Sequence, residues 1–184
     1  MKILVFVLSF LMTGILCADE STACLLKYYD EYTANRLALF EQAGIVYKAK
    51  YARKYKVYAP VLESHALFAK VNRYVFHYLV KNDIGRLKLR HGFTNSVPPW
   101  IRDACTGKKC INALYVELTR FPEFVELYSR WEKAEERSAA AYKDSGITQA
   151  GKIYLNLLGE ESVLPYAIKD MSYYGLKVTQ LICE

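Results

Sequence analysis

Proline and glycine are scarce in this chain, with five and nine among its 184 residues. Hydrophobic residues make up 53% and charged residues 24% of the sequence, which is the balance of an ordinary globular domain. Collagen-like repeats, low-complexity sequence and intrinsic disorder are therefore excluded. After the N-terminal segment, no stretch reaches the ~20 apolar residues that a membrane-spanning helix needs, so we expect no transmembrane segment.

Catalytic and metal-binding motifs are also missing. The chain has no Gly-x-Ser-x-Gly, no His-Glu-x-x-His, no phosphate-binding glycine loop and no calcium-loop pattern. Its three histidines, His65, His77 and His91, are too widely spaced for one helical face. We therefore predict that the protein is not an enzyme and that it holds no cofactor and no metal. A hydrolase whose site is assembled in three dimensions, with Ser64 or Ser138 as nucleophile, stays open as an alternative.

The N-terminal segment, residues 1–17, has the pattern of a secretory signal peptide. One early lysine, Lys2, is followed by a short apolar run and then by small residues, which suits cleavage near Cys17 or Ala18. Residues 18–184 are long enough to bury one core. We predict a secreted, extracellular protein that consists of a single all-helical domain.

Four cysteines remain after the signal peptide: Cys24, Cys105, Cys110 and Cys183. An even number in an oxidising compartment is typical of two disulfides, for which three pairings are formally possible. Cys105 and Cys110 enclose only four residues, so we predict that they pair with each other. The second predicted disulfide, Cys24–Cys183, then joins the two ends of the mature chain.

Apolar residues recur along the chain with the helical period, and the few prolines and glycines lie at boundaries. The predicted helices, in chain order, run from Ser21 or Thr22 to Gly44, over 45–58, from Pro60 to about Lys81, over 111–120 and over 122–144, followed by two shorter ones that begin near Thr148 and Ser162. Residues 85–109 read as a long connection. The predicted fold is a single compact, disulfide-closed all-α domain of about six to eight helices.

The predicted helix that begins at Pro60 is apolar around most of its circumference, which places it at the centre of the fold. A narrow polar strip follows one side, formed by Glu63, Lys70, His77 and Lys81 with Arg73 at its edge; we expect it to face solvent. Two polar residues interrupt the apolar side, and Phe76 lies beside them. The candidate pocket residues are His65, Asn72 and Phe76. They either line an apolar pocket and orient a ligand or are ordinary core groups with hydrogen-bond partners.

Positive charge is concentrated in residues 45–109, which hold fourteen basic and three acidic residues, whereas 18–44 and 110–184 each have a net charge of −3. The predicted polyanion-binding residues are Lys48, Lys50, Arg53, Lys54, Lys56, Arg86, Lys88 and Arg90. Such a surface would attract an anionic glycan or lipid surface. The alternative is that acidic helices around Glu132, Glu135 and Glu136 pack against this basic block and neutralise it. Four tyrosines in the block, Tyr47, Tyr51, Tyr55 and Tyr58, share a helical arc and are expected to pack in the core.

Phe121-Pro122-Glu123-Phe124, preceded by the amphipathic run 111–120, is similar to a segment of the insect allergen-related repeat proteins. Gly146-Ile147 and the apolar residues up to Gly159 continue the similarity. That family is secreted, helical and lipid-binding, so the resemblance implies a lipid carrier. The cysteines and the basic, tyrosine-rich region have no counterpart in its pattern, and the chain is not assigned to the family.

Taken together, these patterns predict a secreted, non-enzymatic helical binding protein. Its expected ligand is a small apolar molecule such as a lipid, or else an extracellular protein partner. Binding of a polyanion through residues 45–109 and a hydrolase activity are the alternatives. Because a secreted protein rarely meets nucleic acid, none is expected as a partner.

Overall fold

The computed structural model of the chain describes residues 2–84, 113–145 and 160–175. These residues form five helices and no strand, which confirms the predicted all-α class: α1 (Lys2–Lys50), α2 (Ala52–Asn82), α3 (Ala113–Leu118), α4 (Pro122–Ser145) and α5 (Leu164–Gly175). Within these ranges, no helix combines the length and the apolar character that crossing a membrane requires. The predicted connection 85–109 and the helix near Thr148 lie outside them.

Helices α1 and α2 form an antiparallel hairpin that turns at a single residue, Tyr51. Tyr51 leaves the helical conformation, with φ −133° and ψ 45°. Contacts across the hairpin then pair residues in reverse order: Tyr47 with Tyr58 at 4.3 Å between ring centroids, Phe40 with His65 at 5.6 Å and Tyr29 with Phe76 at 3.9 Å. The four tyrosines of the predicted arc therefore lie on both sides of the turn, and a ring-to-ring contact between two of them closes it.

Gly44 and Pro60 were predicted to end and to begin helices, and both predictions are wrong. Helix α1 passes through Gly44 to Lys50, and Pro60 lies in the third turn of α2. Gly44 instead faces the partner helix, because Leu62 Cδ1 lies 3.6 Å from the position that a Cβ would take. Pro60 removes one backbone donor but leaves α2 helical on both sides.

The start of the first helix also differs from the prediction at Ser21 or Thr22, since α1 begins at Lys2. The predicted signal peptide therefore belongs, in the unprocessed chain, to the same helix as residues 18–50. Cleavage after residue 17 would leave a shorter α1.

Helix α4 packs on the other side of α2, again antiparallel. The pairs run from Tyr74 with Phe124, whose ring centroids are 5.4 Å apart, to Phe68 with Trp131 at 5.3 Å. Arg137 extends this register by donating to Glu63 at 2.9 Å. Since α1 and α4 both run antiparallel to α2, they run parallel to each other along its two flanks.

The core has two parts along α2. The larger part is centred on Val71, Val75 and Leu79, which are completely buried between α1 and α4. The smaller part lies at the hairpin end, where Val163 and Ala167 next to α1 cover Tyr47 and its neighbours. In addition, Asn35 Nδ2 donates to the backbone carbonyl of Tyr166 at 3.1 Å, which anchors α5 to α1.

Replacing Gly44 with alanine should stabilise the protein. The added methyl would be in ordinary van der Waals contact with Leu62, and alanine is the better helix former. We expect the Gly44→Ala variant to gain about 0.5–1 kcal/mol in the free energy of unfolding, measured by urea denaturation. Ala38→Gly, earlier in the same helix, is the matched control and should lose a similar amount. A destabilised Gly44→Ala variant would contradict the close but unstrained contact described here.

Candidate functional site

A groove of about 810 Å³ runs along α2 between α1 and α4. Its floor is the polar strip of α2, where Lys70, Arg73, His77 and Lys81 follow one another at helical spacing. The walls are mainly apolar and aromatic; they include Ala34 and Leu37 from α1, Tyr74 and Tyr78 from α2, and Leu127 from α4. The groove thus offers basic groups and apolar surface to the same ligand.

Asp30 of α1 joins the two helices at the groove. Arg73 donates to both oxygens of its carboxylate, from Nε to Oδ1 at 2.6 Å and from Nη2 to Oδ2 at 3.2 Å. The ring of His77 contacts the same Oδ1 through Nε2 at 2.6 Å. Because the paired carboxylate can only accept, Nε2 is the protonated nitrogen of this ring. One acidic side chain therefore fixes the orientation of two basic ones.

The charges of this cluster are only partly balanced. Arg73, through its hydrogen bond and charge, holds the pKa of Asp30 below its ordinary value, and His77 adds to the effect although partial burial opposes it. The carboxylate in turn raises the pKa of Arg73. Lys70 and Lys81 are exposed and form no ion pair with any residue in the described ranges. Two lysine charges are thus left to attract an anion.

Two tyrosines of the groove wall bond to carboxylates of α3 and α4. Tyr74 Oη donates to Glu123 at 3.0 Å, and Tyr78 Oη donates to Glu117. Burial, reinforced by the carboxylate of Glu123, raises the pKa of Tyr74 to about 12, so its hydroxyl stays protonated at neutral pH. Their rings also pack on Phe124 and Phe121.

The predicted pocket residues His65, Asn72 and Phe76 do not come together in a described cavity. Phe76 is buried and stacks on Tyr29, with ring planes 8° apart, as a core residue does. Asn72 is buried as well. His65 lies at the surface, and its ring stacks on that of Phe40. Desolvation by its neighbours lowers the pKa of His65, and the charge of Arg36 lowers it further. None of the three lines this groove or a second cavity of about 560 Å³, which α1 and α2 line nearer the turn.

The groove residues were recognisable in the sequence only in part. The helical wheel predicts a polar strip that faces solvent, with Lys70, Arg73, His77 and Lys81, and none of these four is among the predicted pocket residues. Asp30 carried no signal of its own, because its position opposite Arg73 depends on the hairpin register. A turn placed at Tyr51 would have paired residue 30 with the region around residue 75 and so revealed the cluster.

Comparison with known families, proteins and structures gives no match for this chain. No protein-family profile matches it, and neither a curated protein nor a solved structure is significantly similar to it. The similarity of 111–124 and of the segment from Gly146 to Gly159 to the allergen-related repeat proteins stays a resemblance.

The described part of the basic block does not meet the acidic residues expected to neutralise it. Lys48 and Lys56 are exposed, while Lys50 pairs with Glu160, a residue next to α5. Glu135 accepts a hydrogen bond from Ser64 at 2.5 Å instead. The side chains of Arg53 and Lys54, and all of Arg86, Lys88 and Arg90, lie outside the described residues. Polyanion binding by this block stays a prediction.

The serines considered for a hydrolase are far from the histidine of the groove. Ser64 is buried and lies thirteen positions before His77 on α2, which is about 20 Å along a helix. Ser138 is buried on α4, and the register of α2 and α4 places it still nearer the hairpin end. Neither serine can serve the Asp30–His77 pair as a nucleophile.

Cys24, which is half-buried on α1, is the one predicted disulfide cysteine within the described ranges. Cys105, Cys110 and Cys183 lie outside them. The pairings Cys24–Cys183 and Cys105–Cys110 stay predictions.

Removing the carboxylate of Asp30 should cost stability in a pH-dependent way. Its pKa is lowered on folding, so its contribution is present above the unfolded-state value near 4 and is lost as the pH falls through the folded-state value. Because 39% of the Asp30 side chain is exposed, we expect Asp30→Asn to lose under ~1 kcal/mol at pH 7. Urea denaturation at pH 7 and at about pH 2 measures this difference. A loss of equal size at both pH values would show that the ionised carboxylate is not its source.

Proposed function

We propose that the protein is a non-enzymatic binding protein that holds an anionic amphiphile in the groove along α2. The observation that carries this proposal is the combination of basic side chains and apolar walls in one groove. Its volume of about 810 Å³ is in the range of small-molecule sites, which are mostly apolar with a few polar groups that orient the ligand. A lipid-like ligand with a charged head matches both features.

The charge of the groove favours an anion. Three cationic side chains, Lys70, Arg73 and Lys81, face a single carboxylate, that of Asp30. Asp30 is engaged by Arg73 and His77, which leaves the two lysines to bind the head of the ligand. Since both lysines are exposed, each contributes modestly, and apolar contact with Leu37, Leu127 and the tyrosine rings has to supply most of the affinity.

The cluster of Asp30, Arg73 and His77 is better suited to binding a ligand than to catalysis. The Asp30 carboxylate accepts hydrogen bonds from two basic partners, which suits holding a fixed charge pattern more than moving a proton. The two serines considered as nucleophiles are too far away to take part. The proposal is therefore of a carrier or receptor-like module.

The proposal includes that the protein is secreted. The segment 1–17 has the charge and apolar pattern of a signal peptide, and the mature chain would be a single helical domain with Cys24 joined to Cys183. Cys24 is not a free thiol, which supports its use in a disulfide. An extracellular protein with a groove for an anionic amphiphile would carry a poorly soluble molecule through an aqueous compartment.

Charge changes in the groove should alter the binding of decanoate in opposite directions. Reversing both lysines (Lys70→Glu, Lys81→Glu) should weaken binding about tenfold, or ~1.4 kcal/mol, because the head loses two attractive charges. Asp30→Asn should strengthen binding by about threefold, since Arg73 is released from its carboxylate. Isothermal titration calorimetry measures both effects.

The matched control is Lys143→Glu, which changes an exposed lysine on α4 that does not line the groove. It should leave the affinity for decanoate unchanged. Decanol, which has the same chain and no charge, should bind more weakly than decanoate and should not distinguish the variants. Equal binding of decanol and decanoate, or no binding of either, would refute the proposal.

A further inference from the structure

The two exposed lysines of the groove lie at its opposite ends. Lys70 and Lys81 both line it, and neither forms an ion pair with a residue of the described ranges. They are eleven positions apart on α2, which is close to three helical turns, so they lie on one face of the helix and roughly 16 Å apart along its axis. One carboxylate can therefore contact either lysine, but it cannot contact both at once.

The spacing of the two ammonium groups follows that of the backbone. Side chains of an α-helix tilt toward its N-terminus, so both lysines lean in the same direction. A lysine stem is flexible, but Lys70 would have to turn back over Arg73 and Tyr74 to approach Lys81. The groove therefore offers two separate positive charges to a ligand.

Between the two lysines, the charged side chains of the groove are already paired. Arg73 donates to both oxygens of Asp30, and His77 contacts the same carboxylate. These bonds lie on the α1 side of the groove, because Asp30 belongs to α1. With a neutral histidine, the middle of the groove has no net charge, whereas each end has one positive charge.

The opposite side of the groove is apolar between the same two lysines. Tyr74 and Tyr78 lie four and eight positions after Lys70, and their hydroxyl groups bond to carboxylates of α3 and α4. Leu127 of α4 lines the groove on this side. An extended hydrocarbon chain can follow these side chains from one lysine to the other and leave the bonds of Asp30 in place.

The surroundings change beyond Lys70. The second cavity, which shares Leu37 and Lys70 with the groove, also has Glu41, Glu63 and Lys48 in its lining. An apolar chain placed against these charged groups would remove water from them, which opposes binding. We therefore expect the ligand to end at Lys70.

We infer that the ligand is an extended dianion of the length of dodecanedioate, with one anionic group at Lys70, the other at Lys81 and an apolar chain between them. The eleven carbon–carbon bonds of dodecanedioate, each about 1.5 Å long, advance roughly 14 Å in the extended form, which is close to the spacing of the two lysines. This inference rests on the proposed function and adds the second anionic group and the length of the ligand.

The first test compares dodecanedioate with its monomethyl ester, which has the same chain and one charge fewer. By calorimetry at low salt, wild-type protein should bind the diacid about three- to fivefold more tightly, which is the gain expected from a second exposed ion pair. Lys70→Met and Lys81→Met should each reduce this ratio to about twofold or less, because the two ends of the diacid are no longer bound simultaneously. Lys143→Met changes an exposed lysine of α4 outside the groove, and this matched control should keep the ratio.

Salt and chain length test the same assignment without a substitution. At about 1 M salt the Debye length falls to ~3 Å, so the preference for the diacid should disappear. Octanedioate, whose seven carbon–carbon bonds advance roughly 9 Å, is too short to reach both lysines and should show a smaller ratio to its own monomethyl ester. A ratio as large for octanedioate as for dodecanedioate would overturn the span assigned to the ligand.

The outcomes separate this inference from the proposed function. If the monomethyl ester binds wild-type protein as tightly as dodecanedioate or more tightly, the inference is overturned and the proposed function stands. A preference for the diacid that survives undiminished in either methionine variant overturns the inference as well. If none of dodecanedioate, its ester and decanoate binds, both are overturned. Both lysines are exposed, so the variants should remain folded, which melting curves show.

Discussion

The structure depends on the burial of α2 between α1 and α4. Val71, Val75 and Leu79 on this helix are fully removed from solvent, and a helix that is apolar around most of its surface needs cover on more than one side. Both covering helices follow α2 in antiparallel register, since one is joined to it through the turn at Tyr51 and the other runs back along it from Pro122. Removing either helix would expose aromatic and aliphatic side chains of this core.

The groove is a consequence of this arrangement. Two helices that run parallel to each other along the flanks of α2 leave its remaining side uncovered, and that side bears the polar strip. Arg73 and His77 are held there by Asp30 from α1, so the hairpin register determines the charge pattern as well as the core. The same register places Gly44 opposite Leu62. Core packing and the candidate site thus share one geometric cause.

The sequence predicts the parts of this structure that depend on a single helix. The helical period of the apolar residues predicts the all-α class and the central position of α2. A helical-wheel projection of α2 predicts the polar strip that contains Lys70 and His77. Gly44 and Pro60 misled, because local preferences for helix ends are worth only ~1–3 kcal/mol and the packing of two long helices outweighs them. The turn at Tyr51 has no glycine, proline or asparagine to mark it.

The candidate site was less predictable, for the same physical reason. His65 and Asn72 are two helical turns apart on one face of α2, yet one is exposed and the other is buried, because the neighbouring helices cover α2 unequally along its length. Asp30 becomes a site residue only when the register of the hairpin is known. The apolar pattern of one helix does not show which residues of another helix it contacts.

The most direct measurement of the central claim is the NMR spectrum of the histidine side chains during addition of decanoate. His77 lines the groove and His65, on the same helix, does not, so each titration contains its own reference. The account predicts that the ring resonances of His77 move in a saturable way while those of His65 stay in place. A saturable shift of His65 with none at His77 would contradict it.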